Sequence, residues 1–294
     1  MNRVLQDLVN LLDLETLEEN LFRGVSLDLG GKSVFGGQVI SQALVAATRT
    51  VENVAPHSLH AYFLRPGDMA TPIIYEVDRV RDGRSFTTRR VQAIQHGQPI
   101  LSLMVSFQKA ELGFEHQTPM PEVPPPEALV SQNVLRKQWL AAELARHGSI
   151  PERLLTTFTR ELAIEFKPVT PWDPFDPEVR KPSQAIWFRA AGTLPVDPML
   201  HRSVLAYASD FNLLGAALLP HGVSFISREL VVASIDHALW FHRELKVDDW
   251  LLYVMDSPTA QAVRGLSRGL IYDRAGRLVA SAVQESLMRP IEPA

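Results

Sequence analysis

The sequence contains no cysteine among its 294 residues, and neither charge forms a long run. Without cysteine there is no disulfide bond, no thiolate metal site and no cysteine nucleophile. Lysine and arginine total 29 while aspartate and glutamate total 33, so the formal net charge is −4. A nucleic-acid-binding protein usually presents a basic face. We therefore expect no nucleic-acid partner.

A stretch apolar enough to cross a membrane is also missing. Residues 211–227 form the longest uncharged stretch of the second half, but Pro220 and Gly222 interrupt it, and a spanning helix needs about 20 apolar residues. The acidic, amphipathic residues 1–22 do not match a secretory signal, which is basic and then continuously apolar. We expect no membrane span and a cytoplasmic location.

Proline is concentrated in the middle of the chain, where eleven of the 21 prolines lie between positions 119 and 182. Because proline interrupts helices and strand ladders, this region indicates a long surface connection with one helical segment at 131–160. The sequence thus predicts an N-terminal unit at 1–118, a connection at 119–182, and a C-terminal unit at 183–294 that carries the candidate site.

The two units resemble each other in sequence. Aligning Phe63 with Phe241 corresponds to a shift of 178 positions (241 − 63). The same shift places further identities in register: Tyr75 with Tyr253, Asp78 with Asp256, and Arg90 with Arg268. A match at one fixed shift is typical of an internal duplication.

Each unit is predicted to contain one largely apolar helix followed by several strands. The first helix follows Gly36-Gly37, and the second covers 198–214. The alternation of apolar residues predicts strands at 57–64, 73–80, 85–95, 100–107, 231–242, 250–256, 261–272 and 278–288. Short turns between them, such as His96-Gly97, indicate antiparallel pairing. A central helix wrapped by a curved antiparallel sheet is a hotdog unit, so we predict an α+β fold, a double hotdog.

One motif match is misleading. Gly265-Leu266-Ser267-Arg268-Gly269 fits the G-x-S-x-G pattern of a serine hydrolase, which requires a strand, a sharp turn and then a helix, with histidine later in the chain. Here the motif lies within a predicted strand, and no histidine follows His242. Ser267 is therefore not expected to act as a nucleophile.

The histidines do not form a metal-site pattern either. His237 and His242 are five positions apart on a predicted strand, so they point to opposite faces of the sheet. We expect these histidines to lie in turns or to be hydrogen-bonded in the core, and we expect no metal.

Asp210 is the most informative polar residue, because it interrupts the otherwise apolar second helix. An ionised carboxylate buried there costs several kcal/mol unless water or polar partners meet it. Asp210 could instead face solvent or cap a local break in the helix. The first helix has no Asp or Glu between Gly36 and Thr50, so the fold itself does not require an acid.

Two further polar residues lie in second-half strands among apolar neighbours. Ser234 and Gln284 correspond, at the shift of 178, to Pro56 and Ser106, so neither side chain is repeated in the first half. Either side chain could simply pair with the strand backbone, which is common for buried polar groups.

Sequence blocks that span nearly the whole chain resemble the acyl-CoA thioesterase II family of double-hotdog enzymes. These blocks are Leu21-Phe22-Arg23-Gly24, Val34-Phe35-Gly36-Gly37-Gln38, Tyr62-Phe63-Leu64-Arg65-Pro66-Gly67-Asp68, Arg81-Asp82-Gly83-Arg84-Ser85-Phe86, Ala206-Tyr207-Ala208-Ser209-Asp210, Ile235-Asp236-His237, Trp240-Phe241-His242-Arg243 and Val283-Gln284-Glu285. The resemblance implies that Asp210, Ser234 and Gln284 are the catalytic residues.

With those residues, a water held by the three side chains would attack the thioester of an acyl-CoA substrate, with Asp210 as general base. Amides at the start of the second helix, near His201 and Arg202, would stabilise the oxyanion. The resemblance implies no cofactor and a homo-oligomer, either a dimer or a tetramer.

Two alternatives stay open. A hotdog enoyl-CoA hydratase or dehydratase pairs an acid with histidine in an Asp-x-Asn-Pro-x-His arrangement. Asp210-Phe211-Asn212 begins that pattern, but Leu213-Leu214-Gly215 does not continue it. The other alternative is a non-catalytic acyl-CoA-binding scaffold, in which Asp210 would have only a structural role.

Overall fold

The computed structural model describes residues 2–291. Met1 and residues 292–294, which the sequence assigns to the two predicted units, lie outside the described residues. No helix within the described part of the chain is both long and apolar enough to span a membrane.

The first half consists of two helices and six strands. They are α1 (Arg3–Leu12), β1 (Glu15–Glu18), β2 (Leu21–Gly24), α2 (Gly36–Thr48), β3 (Ala55–Phe63), β4 (Ile73–Asp82), β5 (Phe86–Gln95) and β6 (Gln98–Gln108). Nearly every face of α2 is buried, and the apolar side of α1 packs into the same core through Leu5 and Leu8.

The proline-rich region contains a 3-10 turn at Pro126–Ala128, then α3 (Gln132–His147), α4 (Glu152–Thr159) and β7 (Ile164–Pro168). The single helix predicted at 131–160 is broken, because Gly148 adopts a left-handed conformation with φ of 71° that ends α3. The strand β7 was not expected within the connection. It pairs with the next strand along the chain.

The second half contains the remaining elements. They are β8 (Ser183–Ala190), α5 (Pro198–Ser209), α6 (Leu213–Leu218), a 3-10 turn at Leu219–His221, β9 (Leu230–Ser234), β10 (Asp236–Phe241), β11 (Leu251–Gln261), β12 (Arg264–Asp273) and β13 (Leu278–Pro290). The strand predicted at 231–242 is split at Ile235. Consequently β9 pairs with β13, while β10 pairs with both β13 and β3.

Within residues 2–291, the thirteen strands form one antiparallel sheet. Its order is β1-β2-β4-β5-β6-β3-β10-β13-β12-β11-β8-β7, with β9 beside β13. The two halves join in the middle, where β3 pairs with β10 and Leu59 lies opposite Leu239. The helices α2 and α5 pack against each other inside the curved sheet. This arrangement of two sheet-wrapped helices confirms the predicted double hotdog.

The internal repeat is also visible in the structure. A shift of 178 carries β5 residue for residue onto β12, and it carries the start of β4 onto the start of β11. Asp78 pairs with Arg90 at 3.0 Å, and the corresponding Asp256 pairs with Arg268 at 2.5 Å. The boundaries at 118/119 and 182/183 stay predictions.

Candidate active site

Asp210 lies at the C-terminal end of α5 rather than within the helix. The sequence predicts one helix over 198–214, but α5 ends at Ser209 and α6 begins at Leu213. The break occurs because Asn212 adopts a left-handed conformation with φ of 66°, which asparagine tolerates better than most residues. The break places Asp210 just after the last turn of α5.

The carboxylate of Asp210 caps the helix of the other half. The helix α2 has no side-chain cap of its own, and the N–H of Gly37 in its first turn donates a 2.8 Å hydrogen bond to Oδ2 of Asp210. The positive end of a helix dipole favours such a negative charge. The second oxygen, Oδ1, is buried without a hydrogen-bond partner among residues 2–291.

Burial raises the pKa of Asp210 above its ordinary value, and three neighbours oppose that shift. They are His237, the N–H of Gly37 and the hydroxyl of Ser234, in decreasing order of effect. Aromatic rings pack around the residues next to Asp210. Phe35 lies 5.3 Å from Tyr207 and 4.4 Å from Phe211 between ring centroids. A base with a raised pKa accepts a proton more readily, as general-base chemistry near neutral pH requires.

The structure brings the two other predicted residues to this carboxylate. Ser234 ends β9 and lies opposite Ser286 of β13, two positions after Gln284 on the same face. The amide nitrogen of Gln284 donates to Oγ of Ser234 at 2.9 Å and to Oγ of Ser286 at 3.1 Å. Asp210, Ser234 and Gln284 therefore form one polar cluster on the inner face of the sheet.

His237 belongs to the same cluster, although the sequence only suggested a hydrogen-bonded core residue. Its ring is fully buried, with Nδ1 2.8 Å from Oε1 of Gln284 and Nε2 2.9 Å from Oγ of Ser209. The first contact fixes the orientation of the Gln284 amide. His237 is thus a hydrogen-bonded core histidine, as expected. The sequence pattern around His237 did not link this residue to the site.

The expectation that amides near His201 and Arg202 stabilise an oxyanion is wrong. These residues open α5, whereas Asp210 follows its last turn, so about 13 Å of helix separates them. In addition, the N–H of His201 donates to the carbonyl of Asp197 within the helix. The helix N-terminus that reaches Asp210 is that of α2.

The G-x-S-x-G segment lies entirely within β12, so the strand–turn–helix geometry of a nucleophile elbow is not formed. In the part of the chain that the structure describes, no group of three His, Cys, Asp or Glu side chains is placed to hold a metal ion.

Comparison of the chain with known proteins shows which family it belongs to. The chain is 41% identical to acyl-CoA thioesterase 2 of Haemophilus influenzae over 98% of this chain and 99% of that protein. It is also 41% identical to human acyl-coenzyme A thioesterase 8, over 95% of this chain and 88% of that protein. The chain belongs to the acyl-CoA thioesterase family.

The family's profiles and structures agree with this assignment. A profile described as acyl-CoA thioesterase matches residues 154–287, and one for the acyl-CoA thioesterase N-terminal domain matches residues 26–108. The structure of acyl-CoA thioesterase II TesB2 from Mycobacterium marinum superposes with a TM-score of 0.78 at 40% identity, covering 97% of this chain and 99% of that one. In this acyl-CoA thioesterase family member, Asp210 lies in the region matched at 154–287, and Gly37 lies in the region matched at 26–108.

Proposed function

We propose that this protein hydrolyses acyl-CoA thioesters to a free fatty acid and CoA by direct attack of water. One observation carries the proposal: Oδ1 of Asp210 is buried without a hydrogen-bond partner among residues 2–291, and the carboxylate is next to Ser234, which is hydrogen-bonded to Gln284. Such an oxygen is suited to hold and deprotonate a water molecule. Membership of the acyl-CoA thioesterase family supports the choice of substrate.

In the proposed reaction, Asp210 takes one proton from the water as the water oxygen bonds to the thioester carbonyl carbon. The carbonyl electron pair moves onto the carbonyl oxygen. When the carbonyl re-forms, the C–S bond breaks and its electrons leave on sulfur. The proton held by Asp210 then passes to the CoA thiolate, which restores the carboxylate.

Ser234 and Gln284 position the water in this scheme. The hydroxyl of Ser234 accepts from Gln284 and lies beside the carboxylate, so it can orient a water held by Asp210. Gln284 is in turn held by His237. Holding both reactants in place converts a bimolecular encounter into an effectively unimolecular step, which lowers the barrier.

The arrangement of His237 disfavours the hydratase alternative. That chemistry needs a histidine free to act on the substrate next to the acid, whereas both ring nitrogens of His237 are in contact with Gln284 and Ser209. The scaffold alternative gives no reason for a buried carboxylate with an unpaired oxygen, which is costly to keep.

Incubation with a saturated acyl-CoA and a thiol reagent tests the proposal, and enoyl-CoA is supplied in a parallel reaction. Release of thiol at a rate proportional to enzyme supports hydrolysis. Loss of the enoyl absorbance without thiol release would instead indicate a hydratase. If neither signal changes while acyl-CoA still binds, the protein is a scaffold.

We also propose a single catalytic site per chain, in the second half. At the shift of 178, Ser267 corresponds to Arg89, whose side chain is only 2% exposed. The guanidinium of Arg89 donates to Oγ1 and the carbonyl of Thr50, just beyond the end of α2, and to Oδ1 of Asp82. In the first half, this arginine occupies the inner-face position that Ser267 holds in the second half.

The outer face of the sheet supports a homo-oligomer, a dimer or tetramer. At the middle of the sheet, Tyr62 is 59% exposed and Met104 is 39% exposed, while His60 packs edge-on against Trp240 at 5.0 Å. A second copy of the chain would cover these side chains. Sedimentation of the 32.8 kDa chain tests this proposal: a monomer at micromolar concentration would contradict it. A cytoplasmic location stays a prediction that subcellular fractionation can check.

A further inference from the structure

Ser267 is a buried serine beside the catalytic cluster that the proposed mechanism does not use. It lies directly opposite Gln284 in the pairing of β12 with β13, so the two side chains share the inner face of the sheet. Ser267 is 1% exposed, and its Oγ has no hydrogen-bond partner within the described residues 2–291. An unpaired buried hydroxyl is destabilising, so we expect a bound ligand to form a hydrogen bond with this one.

The repeat indicates which side of the sheet this hydroxyl faces. The equivalent residue in the first half, Arg89, reaches from β5 to Thr50 at the C-terminal end of α2. Ser267 likewise faces the helices: a Cβ at Gly265, two positions before it on the same face, would lie 2.7 Å from Cβ of Ala217 in α6, the helix that follows Asp210.

The neighbouring residues on the inner face support this direction independently. A Cβ at Gly269, two positions along the same face from Ser267, would overlap the ring of Tyr253. The hydroxyl of Tyr253 donates to the carbonyl of Ser209 at 3.0 Å, next to Asp210 in the chain. Ser267 therefore lies between a contact of β12 with α6 on one side and, through Tyr253, the end of α5 on the other.

The donors already described at the site are occupied. The two amide hydrogens of Gln284 go to Ser234 and Ser286, and the N–H of Gly37 goes to Asp210. The thioester carbonyl oxygen, however, gains negative charge when water attacks, and this charge needs a hydrogen-bond donor. Among residues 2–291, the hydroxyl of Ser267 has no acceptor, and it lies on the same face as Gln284.

We propose that Ser267 is a further catalytic residue whose Oγ–H donates a hydrogen bond to the thioester carbonyl oxygen. The inference rests on the proposed hydrolysis. The hydrogen bond strengthens as the carbonyl electron pair moves onto oxygen and weakens again when the C–S bond breaks. Ser267 forms no covalent bond and transfers no proton, so rejection of the nucleophile elbow is unaffected.

Steady-state kinetics test the role. Because the loss of one oxyanion donor costs about 10²–10³ in kcat, Ser267→Ala should lower kcat by on the order of a hundredfold, with KM within about threefold. Ser267→Thr and Ser267→Val add equal bulk, but only the threonine keeps a hydroxyl, so Thr should be clearly more active than Val. Ser26→Ala is the matched control, because Oγ of Ser26 is also buried without a partner in the described chain.

Thermal unfolding distinguishes a catalytic from a packing role. Both alanine variants remove an unpaired hydroxyl, so both should keep or raise Tm, while only Ser267→Ala loses activity. If Ser267→Ala keeps more than half of the wild-type kcat, or if Thr and Val are equally impaired, the proposal is overturned.

Binding of two non-hydrolysable analogues separates this inference from the proposed function. One analogue replaces the thioester sulfur by CH₂ and keeps the carbonyl; the other is a thioether that lacks the carbonyl. Wild type should bind the ketone more tightly, and Ser267→Ala should lose that preference. If wild type binds and hydrolyses acyl-CoA but the preference survives in Ser267→Ala, only the role of Ser267 fails. If wild type neither binds nor hydrolyses acyl-CoA, the proposed function itself fails.

Discussion

The N–H of Gly37 donates a 2.8 Å hydrogen bond to Oδ2 of Asp210, although the two residues are 173 positions apart in the chain. Gly37 opens the helix of the first half, and Asp210 follows the helix of the second. The candidate site is therefore built from both halves, even though all three predicted catalytic side chains belong to one. The first half supplies an oriented amide, and the helix behind it favours the ionised carboxylate.

Gly36→Ala should disturb this contact. A Cβ at position 36 would lie 2.8 Å from Oδ2 of Asp210 and 2.8 Å from the ring of Phe63, so both side chains are crowded and the carboxylate is displaced unless the ring alone gives way. Displacement of a catalytic group by about 1 Å can cost on the order of a hundredfold in rate, and we expect a fall in kcat of up to that size. Gly113→Ala is the control, since a Cβ there meets no described atom within 4 Å. Equal kcat values for both variants would show that the contact is unimportant.

Asp210→Asn should nearly abolish turnover while the fold stays intact. Loss of a general base typically costs ~10²–10⁴ in rate. The amide keeps an oxygen that can accept from Gly37, so the cap of α2 survives. Thiol release gives kcat, and circular dichroism checks the fold. A folded variant with more than half of the wild-type kcat would refute the assignment of Asp210.

The pH profile of kcat/KM, which reports groups of the free enzyme, should show an acidic limb shifted above the ordinary range of an aspartate, because burial raises the pKa of Asp210. The hydroxyl of Ser234 lowers that pKa, so Ser234→Ala should move the limb to higher pH. A limb at the ordinary aspartate pKa in wild type, or an unchanged limb in the variant, would contradict this prediction.

The same raised pKa affects stability in a defined direction. The folded protein binds the Asp210 proton more tightly than the unfolded chain does, so this contribution to stability is complete at pH values below the unfolded pKa and is lost as pH rises through the folded pKa. Asp210→Asn, which cannot ionise, should therefore unfold at a higher temperature than wild type at neutral pH. The difference should shrink in acid.

The strands and the fold class were predictable because the sequence patterns that indicate strands and turns lie within short segments of the chain. In β4, β5, β11 and β12, buried and exposed residues alternate over much of each strand, and turn residues such as His96 and Gly97 adopt the positive φ values that a tight hairpin needs. The strand β7 was missed because it lies between proline-rich segments and ends in Pro168.

The detailed geometry of the site was harder to predict from the sequence. Asp210, Ser234 and Gln284 stand out as polar residues among apolar neighbours, and the structure brings them together. The contact between Gly37 and Asp210 depends on how α2 and α5 pack, which leaves no local signal in either segment. The end of α5 depends on the conformation of Asn212, and the pattern of apolar residues continues through it.

His237 should act through Gln284. His237→Ala removes the donor to Oε1, so the amide of Gln284 keeps only its hydrogen bonds to Ser234 and Ser286 and is held less firmly. We expect kcat to fall and the effect to be non-additive with Gln284→Ala, with a coupling of about 1 kcal/mol or more, as for residues in direct contact. His147→Ala, an exposed histidine on α3, is the control. Additivity within about 0.3 kcal/mol would show that His237 does not act through Gln284.

The last prediction concerns the number of sites. The first half has no acid between Gly36 and Thr50, and its position equivalent to Ser267 is filled by Arg89 with its hydrogen bonds to Thr50 and Asp82. Calorimetric titration with a non-hydrolysable acyl-CoA analogue should therefore give one productive site per 294-residue chain. Arg89→Ser should lower Tm, because the carbonyl of Thr50 loses its donor, but should leave the stoichiometry at one. Two equivalent sites, lost only when residues in both halves are changed, would mean that both halves carry out the reaction.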